Sequence, residues 1–187
     1  MRIIGGRFRG RSLAAPKGLD VRPTSDRARQ GVFNILAHSI DWPGLQDITV
    51  VDVFSGTGAF GLEALSRGAG YAVFVDNNPT ALKCAKGNAA ACGMGRNLIA
   101  LKLDATHLPP PPRVAKTPAA LAFLDAPYEQ NMTGPALLGL AHKGWIGAGA
   151  IVVVEVAADE EVPLATGYSQ IDERTYGAAH LLFFRYE

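Results

Sequence analysis

From Ile48 onward, apolar runs of strand length alternate with segments whose apolar residues recur at helical spacing, and the alternation predicts the elements in order. "ITVVDVF" reads as a buried strand, "GAFGLEALSRG" as a helix closed by Gly68, "YAVFVD" as a second strand, and "NPTALKCAKGNAAACG" as a helix opened by Pro79 and closed by Gly93. "NLIALKL" is a third strand. The prolines from Pro109 to Pro112 impose a loop, and "PAALAFLDAPY" supplies the fourth strand. A helix around Gly134 to Lys143 leads to a fifth strand, "GAIVVVEVA". The tail then gives two strands that turn back on each other at Gly177. Ahead of the alternation, the Pro-Thr-Ser-Asp cluster can cap a helix, Val32, Phe33, Leu36 and Ile40 supply apolar positions at helical spacing, and a helix from about Asp26 to Ser39 is expected.

Strand and helix in strict alternation predict an α/β fold, a Rossmann-like, seven-stranded and mostly parallel sheet with helices on both faces. Ligands of such sheets gather beyond the carboxyl ends of the strands. Those ends carry Asp52 with the glycine loop, Asp76 with Asn77, Asp104 with Ala105, and Asp125 with Ala126, Pro127 and Tyr128. The loop "VDVFSGTGAFG" spells G-x-G-x-x-G at Gly56, Gly58 and Gly61, a pattern that fits a dinucleotide as well as other flat ligands. Asp52 favours a cofactor bearing positive charge over a pyrophosphate, and S-adenosylmethionine carries a sulfonium and an ammonium. The expected cofactor set is therefore Asp52, Phe54, Gly56, Gly58, Gly61, Asp76, Asn77, Asp104 and Ala105, with Asp76 placed for ribose hydroxyls and Asp104 for the adenine amine.

The fourth strand end holds the candidate chemistry. "DAPY" resembles the Asp-Pro-Pro-Tyr motif of methyltransferases that modify exocyclic amines of bases, with Ala126 in place of the first proline. The lone pair of such an amine is delocalised into its ring, so the nitrogen attacks only once its protons are held. The Asp125 carboxylate and the Ala126 carbonyl can each accept one N–H, Pro127 shapes the turn, and Tyr128 can stack on the base. No histidine is required, and His38, His107, His142 and His180 are given no role.

Charge adds a partner to this picture. Residues 1–29 hold Arg2, Arg7, Arg9, Arg11, Lys17, Arg22, Arg27 and Arg29 against Asp20 and Asp26, a net of +6, while the whole chain carries +1 and the remainder therefore −5. Gly5-Gly6 between short apolar runs predicts a hairpin in this arm, and an ordered array of arginines suits a phosphate backbone. The chain thus divides into a basic arm, residues 1–23, and a catalytic domain, residues 24–187, with all the arm and helix arginines named above as candidate RNA contacts. The two cysteines, Cys84 and Cys92, form no C-x-x-C pair and have no neighbouring histidine, so no metal site is expected. No apolar run reaches the roughly 18 residues of a membrane span. A soluble, unexported, monomeric protein of a reducing cytoplasm is expected.

The pieces "RIIGGRFRGRSL", "RPTSDRARQGVFNIL", "VDVFSGTGAFGLEALSRGA", "VFVDNN" and "DAPY" together resemble the bacterial 16S ribosomal RNA guanine-N2 methyltransferases that act on guanine 966. The resemblance runs over nearly the whole chain. It implies the seven-stranded class I methyltransferase fold, S-adenosylmethionine as donor, and the assembling small subunit with its 16S RNA as substrate. It also implies that Arg22 to Arg29 lie beside the cofactor cleft and that Thr24 touches the methionine end of the cofactor. Read from the residues alone, the chain is a base-amine methyltransferase with a nucleic-acid arm. That coarser reading leaves a DNA adenine-N6 methyltransferase, a nicotinamide oxidoreductase and a non-catalytic RNA-binding assembly factor as rivals.

Overall fold

Seven strands form one sheet in the order β3-β2-β1-β4-β5-β7-β6. The computed structural model describes residues 1–16, 25–127, 131–160, 162 and 165–187. Strands β1 (Thr49–Val53), β2 (Tyr71–Asp76), β3 (Leu98–Lys102), β4 (Ala119–Asp125) and β5 (Ile146–Ala157) pair in parallel. Strand β7 (Ala179–Tyr186) runs antiparallel between β5 and β6 (Tyr168–Tyr176), as the turn at Gly177 requires. The helices are α1 (Asp26–His38), α2 (Ala59–Ser66), α3 (Pro79–Ala91) and α4 (Thr133–His142). Their starts follow from local chemistry. The Ser25 side chain accepts the Ala28 N–H to begin α1, and Asn78 accepts the Thr80 N–H ahead of Pro79 to begin α3.

Because paired residues of neighbouring strands share a face, the register sorts the core into two layers. Val50, Phe74, Phe123, Ile151 and Phe183 face α1, α2 and α3, where Phe60 stacks on Phe123 with ring centroids 4.6 Å apart. Val51, Val75, Leu124, Val152 and Phe184 face α4 and the fully buried Trp145. Both layers are buried, which is why the central strands read as largely apolar runs.

Two elements depart from the sequence reading. Strand β5 begins at Ile146, ahead of the expected Gly149, because Ile146 already pairs with Ala119. The pairing then slips and resumes at Leu121 and Ile151, across Gly149 with φ of 78°. The N-terminal hairpin is also wider than a two-residue turn. Arg2 bridges Ser12, the Ile3 N–H donates to the Arg11 carbonyl at 2.9 Å, and the chain from Ile4 to Arg9 forms a broad loop. Gly6, at φ of 74°, lies so close to α2 that a Cβ there would stand 1.9 Å from the Ser66 carbonyl oxygen. Gly6 thus serves a close approach of two backbones. Ile3 and Leu13 are buried, so the described part of the arm is built into the domain.

Candidate functional site

The glycine loop leaves β1 through Phe54 and Gly56, both with left-handed φ, at 59° and 51°. Backbone and carboxylate hold it from below. The Ser55 N–H donates to the Val75 carbonyl at 3.1 Å, and the Gly56 N–H donates to Oδ2 of Asp76 at 2.9 Å. Oδ1 of Asp76 accepts the Asn78 N–H at 2.8 Å, so this one side chain fixes both the loop and the start of α3. Asp76 remains half-exposed at the end of β2, and Asn77 beside it is exposed.

The three glycines have separate reasons. A Cβ at Gly61 would stand 2.2 Å from the Phe74 ring, and one at Gly58, whose φ is 79°, would meet the Ala85 Cβ at 3.0 Å. Both serve internal packing of α2 against β2 and α3. Only Gly56 looks into open space, its nearest neighbour being the Phe54 carbonyl oxygen at 4.0 Å. The buried Ser55 hydroxyl beside it has no hydrogen-bond partner among the described residues. An open glycine next to an unpartnered buried hydroxyl fits a ligand that lies on this loop.

Asp52 has a different role from the one its charge suggests. It is 2% exposed and accepts the Gly61 N–H at 2.9 Å, so it ties α2 to β1 from inside the protein. Burial pushes its carboxyl up to about 8, only partly offset by that hydrogen bond, which leaves it neutral at physiological pH. The expected anionic contribution of Asp52 is thereby corrected, and the strand-end acids that reach the surface are Asp76, Asp104 and Asp125.

Asp104 follows β3 and is exposed. Its Oδ1 accepts the Thr106 hydroxyl at 2.7 Å and the Thr106 N–H at 2.9 Å, and its Oδ2 lies 3.2 Å from Nδ1 of His107. The Thr106 hydrogen bonds hold its carboxyl below the usual aspartate range. Ala105, behind it, is buried. Asp104 therefore caps a short 3-10 turn and keeps an ionised oxygen at the rim.

Asp125 ends β4, half-buried, followed by buried Ala126 and exposed Pro127. Because β4 is the neighbour of β1, Asp125 stands next to the strand that launches the glycine loop. It also lies opposite Glu155 of β5, an acid that is 5% exposed and that the sequence reading passed over. The signal was present as a lone acid in the run "IVVVEVA". Tyr128, Thr24 and Arg22 lie outside the described residues.

The candidate RNA arginines divide sharply. Arg7, Arg9, Arg11 and Arg27 are exposed, and the Arg2 side chain is 68% exposed while paired with Asp26 at 3.4 Å. Arg29 is fully buried. Its guanidinium bonds to Asp26 at 3.0 Å and to the Arg2 carbonyl at 2.6 Å, and it lies 3.9 Å from Glu63. From there it reaches no external phosphate, and its assignment to RNA is corrected to a structural one. Glu63, also fully buried, accepts the N–H groups of Ile4 and Gly5 at 2.7 Å each and pairs with Arg67 at 2.7 Å. Asn88 extends the same connection, accepting the Ala14 N–H at 2.8 Å and donating to the Thr57 carbonyl at 3.0 Å. The hairpin is thus fastened to α2 by Glu63 and to the glycine loop through Asn88, a coupling that no motif announces.

Among the described residues no helix is long and apolar enough to cross a membrane. Comparison with solved structures finds a putative methyltransferase of Escherichia coli that is 28% identical and superposes with a TM-score of 0.84 over 100% of this chain and 98% of its own. A Thermus thermophilus protein of 30% identity has a TM-score of 0.73 over 98% of both chains. An RNA methyltransferase of Salinibacter ruber in complex with S-adenosylhomocysteine, 14% identical, shares the fold at a TM-score of 0.59. Among curated proteins, ribosomal RNA small subunit methyltransferase D of E. coli is 32% identical over 87% of this chain and 78% of its own length. A putative rRNA methyltransferase of Bacillus subtilis is 27% identical over 99% and 98%. The family model described as conserved hypothetical protein 95 matches residues 1–185, and the chain belongs to that family, as an S-adenosylmethionine-dependent methyltransferase of the class I fold.

Proposed function

We propose that this protein transfers the methyl group of S-adenosylmethionine to the exocyclic N2 of a guanine in 16S ribosomal RNA of the small subunit. The observation that carries the reading is the adjacency of β1 and β4: the glycine loop and the carboxylate of Asp125 leave the same sheet edge on neighbouring strands. The close relatives named for ribosomal RNA point to the substrate. S-adenosylmethionine would supply a methyl on a sulfonium, released as the thioether S-adenosylhomocysteine.

The residues of this chain do the rest. Gly56 and Ser55 seat the donor on the loop, Asp76 binds its ribose and Asp104 its adenine, and the open Gly56 beside the Ser55 hydroxyl and the acids at the strand ends support this reading. Asp125 and the Ala126 carbonyl accept the two N–H groups of the guanine amine and hold its nitrogen in line with the methyl–sulfur bond. Tyr128 stacks on the flipped base. As the N–C bond forms and the C–S bond breaks, one amine proton passes to Asp125 or to water. Arg2, Arg7, Arg9, Arg11 and Arg27 supply the cationic surface for the RNA backbone. A monomer working in the cytoplasm on an assembled or assembling subunit completes the proposal.

Mapping the label after reaction with methyl-labelled donor tests it. Unmodified small subunits, protein-free 16S RNA and duplex DNA are offered separately, and a single guanine N2 of the RNA is expected to carry the methyl. Label on adenine N6 of DNA, or on no nucleic acid, overturns the assignment.

A further inference from the structure

A cavity of about 520 Å³ opens between the start of α1 and the β6–β7 turn, lined by Ser25, Arg27, Thr175, Tyr176, Gly177 and Ala178. Register places it relative to the candidate catalytic carboxylate. Asp125 lies opposite Glu155, Glu155 opposite Leu181, and Leu181 opposite Arg174. Since β6 runs parallel to β4, Tyr176 stands two residues beyond the level of Asp125, on the same face of the sheet and past the same edge. Three interstrand spacings of about 4.8 Å put it roughly 14 Å to the side.

Three further features give the cavity a chemical character. Arg27 is exposed, and the neighbouring acid, Asp26, is already engaged by Arg2 and Arg29. Asp172, two residues before Arg174 on β6, is likewise paired with that arginine. Among the described lining residues Arg27 is the charged one, while Glu173 on β6 lies 3.5 Å from His180, so the lining itself favours an anion. The Tyr176 ring is set by a glycine in a helix interior: a Cβ at Gly31 of α1 would lie 2.4 Å from both Cζ and the hydroxyl oxygen of Tyr176. Glycine weakens a helix interior relative to alanine, and here it makes room for an aromatic ring at the cavity wall.

We infer that this cavity receives a nucleotide flanking the methylated guanine, with Arg27 on its phosphate and the Tyr176 ring against its base or sugar. The inference rests on the RNA reading above. A base drawn out of its stack toward Asp125 leaves its neighbours unstacked, and enzymes that extrude a base hold the flanking nucleotides as well. A cation and an aromatic wall suit a single-stranded nucleotide of any sequence.

The test uses the full chain and measures the Kd for a 16S RNA fragment spanning the mapped guanine, the KM for unmodified small subunits, and the Kd for S-adenosylhomocysteine. Tyr176→Ala is expected to weaken RNA binding by about 5- to 100-fold, the range of one lost stacking contact. Tyr176→Phe retains binding, and Arg27→Ala weakens it with a shallower salt dependence. Cofactor affinity stays unchanged in all three. Arg27, exposed, carries the test if Tyr176→Ala impairs folding. Unchanged RNA affinity and salt slope in Arg27→Ala, or equal losses in Tyr176→Phe and Tyr176→Ala, overturn the subsite. Either result leaves methyl transfer by the wild type intact. A wild type that needs Arg27 and Tyr176 to bind RNA yet transfers no methyl retains the subsite and sinks the catalytic reading.

Discussion

The glycine loop and the N-terminal hairpin are both held from inside the protein by a buried carboxylate that accepts backbone N–H groups, and they differ in what balances the charge. Under the hairpin, Glu63 has two guanidinium partners, Arg67 at 2.7 Å and Arg29 at 3.9 Å. Under the loop, Asp52 has the Gly61 N–H and, among the described residues, no ion-pair partner within 4.0 Å, and its burial favours the protonated form. A buried acid in an apolar layer either finds a cation or loses its charge. The buried acid under the hairpin is therefore balanced by cations, while Asp52 beneath the loop is balanced by burial of its proton and by one backbone N–H.

Removing the ionic anchor has the largest expected effect. Glu63→Ala removes the acid paired with Arg67, leaves buried Arg29 with Asp26 as its acidic partner and frees the Ile4 and Gly5 N–H groups, at a cost of about 3–5 kcal/mol in urea unfolding. A loss below about 1 kcal/mol would mean that the hairpin is held by its apolar contacts alone. Next comes the packing of the loop: Gly61→Ala forces a methyl against Phe74 and is expected to cost about 1–3 kcal/mol together with cofactor affinity. Unchanged calorimetric binding of S-adenosylhomocysteine would separate that glycine from the loop's function.

A smaller, pH-dependent effect marks the neutral anchor. The folded chain keeps the Asp52 proton up to about pH 8, while the unfolded chain releases it near pH 4, so this residue makes stability fall as pH rises through that interval. Asp52→Asn keeps a neutral acceptor for Gly61 and is expected to match the wild type near pH 4 and exceed it by at least about 1 kcal/mol at pH 8. Parallel stability curves for the two proteins would show that Asp52 is charged in the fold. The smallest structural effect belongs to the exposed arginines. Alanine at Arg7, Arg9 and Arg11 together should leave the thermal midpoint unchanged and flatten the salt dependence of RNA binding. An unaltered salt slope removes the hairpin from the RNA interface.

How much of this was legible in the sequence follows from the same contrast. Strand and helix boundaries came through within a few residues, because apolar runs and caps such as Ser25 and Asn78 are local signals. The placement of Asp76, Asp104 and Asp125 at strand ends came through for the same reason. What stayed hidden was non-local. Arg27 and Arg29 are two residues apart on one helix and indistinguishable in composition, yet one is exposed and the other fully buried. Their difference depends on Glu63, thirty-four positions beyond Arg29. Asp52 looked anionic because its burial depends on strands that pair with it from elsewhere in the chain. Gly58 and Gly61 carry a ligand motif but answer to Ala85 and Phe74.

The proposed role of the carboxylate at the end of β4 is to present the guanine amine to a donor seated on the neighbouring strand's loop. It is tested most directly by the single-turnover rate of methyl transfer from labelled donor to unmodified small subunits, comparing the wild type with Asp125→Ala. A fall of about 100-fold or more, with S-adenosylhomocysteine affinity retained, is the predicted result. An undiminished rate would contradict it.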